Sequence, residues 1–130
     1  MPISFVGAGA VTSGVINPVV GLPAGIQDGD LLFLIVNAGG GSAVGAPSGW
    51  TSTFSIGSSP NYLVFNKFAD GTDVNISISS GNSSITAVII AYRGASGIHT
   101  FSTAATATST TIASNTLTTT YDNQYVVTIY

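Results

Sequence analysis

The chain has 130 residues, 45% of them hydrophobic, a length that suffices for one domain with a buried core. Only 5% of the residues are charged, against about a quarter in ordinary globular proteins, and the net charge is -3. The only bases are Lys67 and Arg93, too few to displace the counterions of a nucleic acid, so we expect no nucleic-acid partner. Seventeen serines and 16 threonines supply neutral polar groups instead, which favours a protein that packs against neighbours.

The sequence also limits the compartment and the covalent chemistry of the protein. It has no cysteine, which excludes disulfides and thiolate metal sites. The N-terminus has neither the basic region nor the apolar core of a signal peptide, and the apolar runs at 31–36 and 87–92 are far shorter than a membrane span. We therefore expect a soluble protein, made in a cytoplasm, complete at its N-terminus and not bound to a membrane.

The composition predicts strands almost everywhere. Glutamate is absent, while Gly, Ser, Thr, Val and Ile dominate, so helix formers are scarce and β formers abundant. In chain order the predicted strands are 3–6, 15–20 (interrupted by Pro18), 31–36, 50–55, 61–68, 73–79, 83–92 and 124–130. Short strands separated by turn residues at this spacing predict an all-β, single-domain antiparallel β-sandwich over residues 1–130, jelly-roll or immunoglobulin-like, with essentially no helix.

Two segments have unusual composition. Residues 31–36 are apolar at every position, which predicts a central strand covered on both faces. Residues 102–120 are rich in Thr, Ser and Ala and carry no charge. This segment is either an extended edge strand or a mobile arm, and partly extended structure is favoured because threonine prefers strands.

The middle of the chain predicts a meander. Residues 73–79 alternate apolar and polar, with Val74 on the apolar face, and the preceding ADGTD stretch contains Gly71, which can supply the positive φ of a hairpin turn. With a further turn at 79–82, the segments 61–68, 73–79 and 83–92 are predicted to form three consecutive antiparallel strands.

Groups able to support catalysis are few. His99 is the only histidine, and no G-x-S-x-G nucleophile elbow accompanies it, so it is interpreted as a surface or strand-end residue and the protein as not an enzyme. The glycine tract 39–41 lacks the lysine and the following helix of a phosphate loop and is interpreted as a strand connection with a chance of lying at a subunit contact.

Pairs of aspartates flank two glycine turns. The stretches QDGD (27–30) and DGTD (70–73) could be calcium loops or β-turns in which Asp side chains accept backbone N–H bonds. Neither matches the twelve-residue calcium loop, so the turn interpretation is favoured, and no metal or cofactor is expected.

Aromatic side chains leave a second possibility open. The tyrosines Tyr62, Tyr121, Tyr125 and Tyr130 could stack on sugar rings with Asn and Ser as hydrogen-bonding partners. They could equally fill the sandwich or an interface between copies.

Four motifs occur in a fixed order: GDLLFLIV (29–36), PSGW (47–50), ADGT (69–72) and AYRG (91–94). Together they resemble a module of phage and prophage virion structural proteins, both tail-fibre-like and head-associated, over about residues 20–96. The resemblance implies a β-sandwich with structural and attachment roles and no catalytic residue. In it, Asp30 would cap the turn before the buried strand, Trp50 would fill the core, and Arg93 would close the AYRG strand.

The resemblance sets the functional expectation. The protein is expected to be a virion protein made in the host cytoplasm, a capsid decoration or cement protein that forms homo-oligomers and contacts the major capsid protein or other virion proteins. The alternative is a tail-fibre or adhesive module that binds a host-surface glycan. The module usually continues past a strand that corresponds here to 122–130, so either the fold is shortened or a terminal edge is open for a neighbour.

Overall fold

A computed structural model describes residues 2–41, 44–56, 61–81, 84–100, 118 and 124–127. Over these residues the chain forms short and medium strands with a single 3-10 turn at Gly39–Gly41, and every strand pair is antiparallel. The strands are β1 (Ser4–Ala8), β2 (Thr12–Val15), β3 (Val19–Val20), β4 (Leu31–Ala38), β5 (Thr51–Ile56), β6 (Asn61–Phe68), β7 (Ile76–Ser77) and β8 (Ile85–Arg93). The predicted all-β antiparallel class is confirmed.

The larger sheet is built around β4. Its strand order is β1-β8-β4-β6-β5, and β2 pairs with the half of β8 that β1 leaves free. β4 pairs along its whole length with β6 on one side and β8 on the other. The prediction of a central strand at 31–36 is therefore confirmed.

Alternation along β4 separates the two faces of the larger sheet. Leu32, Leu34, Val36 and Ala38 have no exposed surface and form the centre of the core. On the opposite face the flanking Phe33 and Ile35 are half-buried. An unbroken apolar run is thus fully covered on one face and partly covered on the other.

The second sheet consists of β3 and β7, which pair at Val19↔Ser77 and Val20↔Ile76. Val20 and the neighbouring Ile78 are fully buried in the same cluster as the inner residues of β4. The two antiparallel sheets therefore share one apolar core.

The predicted three-strand meander is wrong. β6 pairs with β4 and β5, β7 pairs with β3, and β8 pairs with β4, β1 and β2, so none of the three is a neighbour of another. Of residues 73–79 only Ile76–Ser77 is a strand, and Val74 is 69% exposed. The cause is that the segment crosses to the other sheet, where the Asn75 side chain accepts a hydrogen bond from the Leu22 N–H.

Two other predicted strands differ from the observed structure. The predicted strand 15–20 is split at Asn17, whose φ of 51° breaks the extended backbone before the buried Pro18. Residues 124–127 form no strand, and 128–130 lie outside the described residues. Of the segment 102–120 only Thr118 is described, so the prediction made for that segment falls outside the described residues.

Candidate functional site

The Asp, Lys and Arg side chains of the described residues gather at one end of the larger sheet. β4 begins there at Leu31, which pairs with Phe68 at the end of β6 and with Tyr92 near the end of β8. The charged residues precede, end or follow these strands: Asp28, Asp30, Lys67, Asp70, Asp73 and Arg93. We call this set the ion-paired end.

A buried carboxylate and an arginine form its centre. Asp30 is 1% exposed, and its two carboxylate oxygens accept bonds from Arg93 Nε at 2.9 Å and Nη2 at 2.8 Å. The hydrogen bonds from Arg93 lower the pKa of Asp30, burial opposes them, and the Gln27 N–H adds to the lowering. Bidentate, charge-assisted bonding of this kind fixes both position and orientation.

The same pair ties three chain segments together. Arg93 Nη2 also donates to the Gly25 carbonyl at 2.9 Å, and the Gln27 N–H donates to Asp30 Oδ2 at 2.8 Å. The backbone N–H of Ala69 donates to the Asp30 carbonyl, and the Gly29 N–H donates to the Ala69 carbonyl, both at 2.8 Å. The loop before β4 is thus fastened to the ends of β6 and β8.

Lys67 organises the neighbouring loop. Its Nζ lies 2.7 Å from Asp73 Oδ1 and 3.1 Å from Asp70 Oδ2, and the bonds to Asp73 and then Asp70 raise the pKa of the lysine. The Thr72 hydroxyl and N–H, with Lys67, lower the pKa of Asp70 to about 2. Asp73 also accepts the Asp70 N–H at 2.9 Å, so these carboxylates stabilise a turn.

The turn interpretation of both aspartate pairs is confirmed by these contacts, because Asp30, Asp70 and Asp73 each accept a backbone N–H. Among the described residues no group of three or more His, Cys, Asp or Glu side chains is placed to hold a metal ion. Gly71 has φ 75°, as predicted, and a Cβ there would lie 2.6 Å from Asp28 Oδ1.

Trp50 lies in the core, 7% exposed, as predicted. The PSGW motif delivers it there through a turn in which the Trp50 N–H donates to the Pro47 carbonyl at 3.0 Å and Gly49 has φ 80°. Val44 is also buried, so this residue of the Gly-rich connection contributes to the core.

Of the tyrosines singled out from the sequence, the two that the structure describes are not brought together. Tyr62 is 44% exposed and pairs with Asn37 on β4, whereas Tyr125 is 53% exposed with its ring 5.3 Å from that of Tyr92. Tyr92 pairs with Leu31, six residues from Asn37 along β4, a separation of about 20 Å. Tyr121 and Tyr130 lie outside the described residues.

His99 lies beside a shallow, open depression on the larger sheet. The depression is lined by Ser52, Thr53, Asn66, Ile98, His99 and Thr100. Asn66 Nδ2 donates to the Thr51 carbonyl and to Thr53 Oγ1, so its amide group is engaged in joining β5 to β6.

The sequence predicted Asp30 and Arg93 as separate structural residues but not their pairing across 63 positions. The signal available was the scarcity of charge: the last residue before a buried strand is acidic, and the chain has only two bases to pair with it. Where the chain is described, none of its helices could cross a membrane.

The fold and this end define an antiparallel all-β protein whose described Asp, Lys and Arg side chains are concentrated in one set of contacts between loops and strand ends. No family model, no curated protein and no solved structure matches the chain.

Proposed function

We propose that the protein is a non-enzymatic structural component of a phage virion, a capsid decoration or cement protein that acts as a homo-oligomer. The observation that carries this proposal is the structural role that each of the four ordered motifs has in the fold. GDLLFLIV and AYRG contribute the Asp30–Arg93 pair, ADGT contributes Gly71 against Asp28, and PSGW delivers Trp50 to the core. The residues that carry the resemblance are thus residues that hold the fold.

The use of charge supports the same role. Arg93 and Lys67 are both engaged by carboxylates, and the partners Asp30 and Asp73 are themselves largely buried. Groups held in this way serve rigidity. Elsewhere the described surface carries no Asp, Lys or Arg and is rich in hydroxyls, which suits repeated contact with identical neighbours in a particle.

The proposal is tested on particles. Phage particles from a host that carries the gene would be separated into capsids and tails, and each fraction analysed by quantitative mass spectrometry. We expect the chain in the capsid fraction, in stoichiometric ratio to the major capsid protein. Absence from both fractions overturns the virion proposal, and confinement to tails replaces decoration by the tail-fibre alternative.

The exposed tyrosines favour one alternative, a tail-fibre or adhesive module that binds host-surface glycans. Tyr62 and Tyr125 present half-exposed rings that could stack on sugars. A glycan array with wild type, Tyr62→Ala and Tyr125→Ala tests this, with Val126→Ala, equally exposed beside Tyr125, as the matched control. Specific binding lost only in a tyrosine variant supports the alternative, and no binding by the wild type removes it.

A further inference from the structure

The larger sheet has a second apolar face, turned away from β3 and β7. Leu32 and Leu34 point into the core, so the residues that alternate with them on β4 point to the opposite side. Residues directly opposite each other in an antiparallel pair share a face, and the register therefore extends this set onto β8. We call it the outer face, and its central members are Leu31, Phe33 and Ile35 on β4 and their partners Tyr92, Ile90 and Val88 on β8.

Some side chains of the outer face are buried although no described strand covers them. Leu31, Tyr92 and Val64 (the β6 partner of Ile35) are 3, 8 and 2% exposed. None of the three belongs to the core cluster that the larger sheet shares with β3 and β7, and every other described strand lies within the larger sheet itself. Side chains stand roughly perpendicular to a sheet, so neighbours within the sheet leave their outward ends uncovered. The burial therefore requires chain that lies over the outer face.

Two described segments that follow β8 lie against this face. Residues 98–100 border the shallow depression together with Asn66, which pairs with the outward-pointing Phe33. Tyr125 lies on the other side of β4, with its ring centroid 5.3 Å from that of Tyr92. The chain between these two segments thus leaves from beside β6 and returns beside β8.

The chain between them is long enough to run along the outer face and back. It comprises residues 101–123. Its ends lie about 12 Å apart, since Asn66 and Tyr92 are separated by the width of β4 and by two positions along it. β4 has eight residues and is about 26 Å long, so a path along the face and back takes about 16 residues at about 3.3 Å each. The stretch exceeds this length.

The composition of the stretch suits an apolar surface. Residues 102–120 carry no charge, and Asp122 is the only charged residue of 101–123. Placing such a stretch on the outer face therefore removes almost no ionic group from water. The stretch also contains large apolar and aromatic side chains that can pack on the face, namely Phe101, Ile112, Leu117 and Tyr121.

We propose that the outer face is the docking surface for residues 101–123 of the same copy of the chain. Residues 98–100 and Tyr125 hold the two ends of the stretch, and the part between them covers side chains that β4, β6 and β8 turn outward. This inference goes beyond the proposed virion role and does not depend on it. It assigns the outer face to a contact within one molecule, so a contact with other virion proteins uses a different surface.

Paramagnetic relaxation enhancement in NMR spectra of the full chain tests the proposal. The sequence has no cysteine, so Tyr62→Cys provides a single site for a spin label. Tyr62 is 44% exposed and two positions from Val64 on the same side of β6. We expect the label to cause loss of amide signals from residues within 101–123, with recovery when the label is reduced. Phe68→Cys, 41% exposed and paired with Leu31, provides a second label on the outer face.

Val19→Cys is the matched control. Val19 is 57% exposed and precedes the fully buried Val20 on β3, so its side chain points away from the core on the opposite side of the molecule. A label there is expected to leave the signals of 101–123 at full intensity. The spectrum of each variant with the label reduced establishes that it is folded.

Three outcomes overturn the proposal. Full signal intensity for 101–123 with both outer-face labels shows that the stretch lies elsewhere. Equal signal loss with the Val19→Cys label shows that the stretch does not stay on one face. The third outcome concerns a mixture of isotope-labelled wild type with spin-labelled Tyr62→Cys protein of natural isotope abundance. Signal loss from 101–123 in that mixture, as large as within one molecule, shows that the stretch docks on a second copy instead.

Discussion

Gly9 offers the sharpest test of the packing between the two sheets. It lies between β1 and β2, its N–H donates to the Ile89 carbonyl at 2.8 Å, and a Cβ on it would stand 2.1 Å from the Gly21 carbonyl oxygen. Since such a carbon approaches an oxygen no closer than about 3.3 Å, Gly9→Ala requires the backbones to separate by about 1.2 Å. The neighbouring atoms are backbone, which no side-chain rotation can move.

We expect Gly9→Ala to lower the free energy of unfolding by about 3 kcal/mol, at the upper end of overpacking effects. For a chain of this size that loss corresponds to a melting temperature lower by about 10 °C. Urea denaturation followed by circular dichroism, with the slope compared between variants, measures the change. Differential scanning calorimetry measures the change in melting temperature.

Gly45→Ala is the matched control. Gly45 is exposed, with no atom within 4 Å of a built Cβ, so the same substitution should change stability by no more than about 1 kcal/mol and could raise it. Equal stability of Gly9→Ala and Gly45→Ala would refute the close approach of Gly9 to Gly21. It would mean that the β1–β2 connection has space for a methyl group at Gly9.

Three further predictions concern the core and the ion-paired end. Leu34→Ala, at a fully buried position, should cost about 3 to 4 kcal/mol in urea denaturation, whereas Val74→Ala, at an exposed one, should cost less than about 0.5. Because Arg93 holds the pKa of Asp30 below 3.8, the stability contributed by Asp30 is present above that pH and lost as the pH falls through the folded-state value. Arg93→Met should therefore shrink the drop in urea midpoint between pH 6 and pH 2.5, and an unchanged drop would contradict the role of the pair. Trp50, the single tryptophan, should have a short-wavelength emission maximum, and acrylamide should quench its fluorescence only weakly until the protein unfolds. Strong quenching in the native protein would argue against its burial.

Strand positions were predictable because they depend on local pattern. The apolar run at 31–36 forms the first six residues of β4, and the segment predicted at 61–68 coincides with β6. A run that is apolar at every position, or at alternate positions, indicates which residues are buried, because apolar residue types favour burial.

Strand pairing was not predictable in the same way. The alternation at 73–79 correctly marks Ile78 as buried, but it says nothing about which strand lies beside it. Chain proximity favoured β6, yet β7 pairs with β3, more than fifty residues earlier. In the folded protein both sides of β6 and of β8 are occupied by other strands, and no local pattern contains that information.

For the ion-paired end, too, single-residue roles were predictable and long-range contacts were not. The neighbours of Gly71 indicate its turn role, the resemblance implies a turn role for Asp30 and a strand-end role for Arg93, and the structure keeps all three in those roles. The sequence alone determined the all-β class, the central strand and the scarcity of charge. Only the tertiary structure decided that Asp30 meets Arg93, and that the described Asp, Lys and Arg side chains gather at one end of the larger sheet. The reason is that contacts between residues 63 positions apart exist only once the sheet has formed.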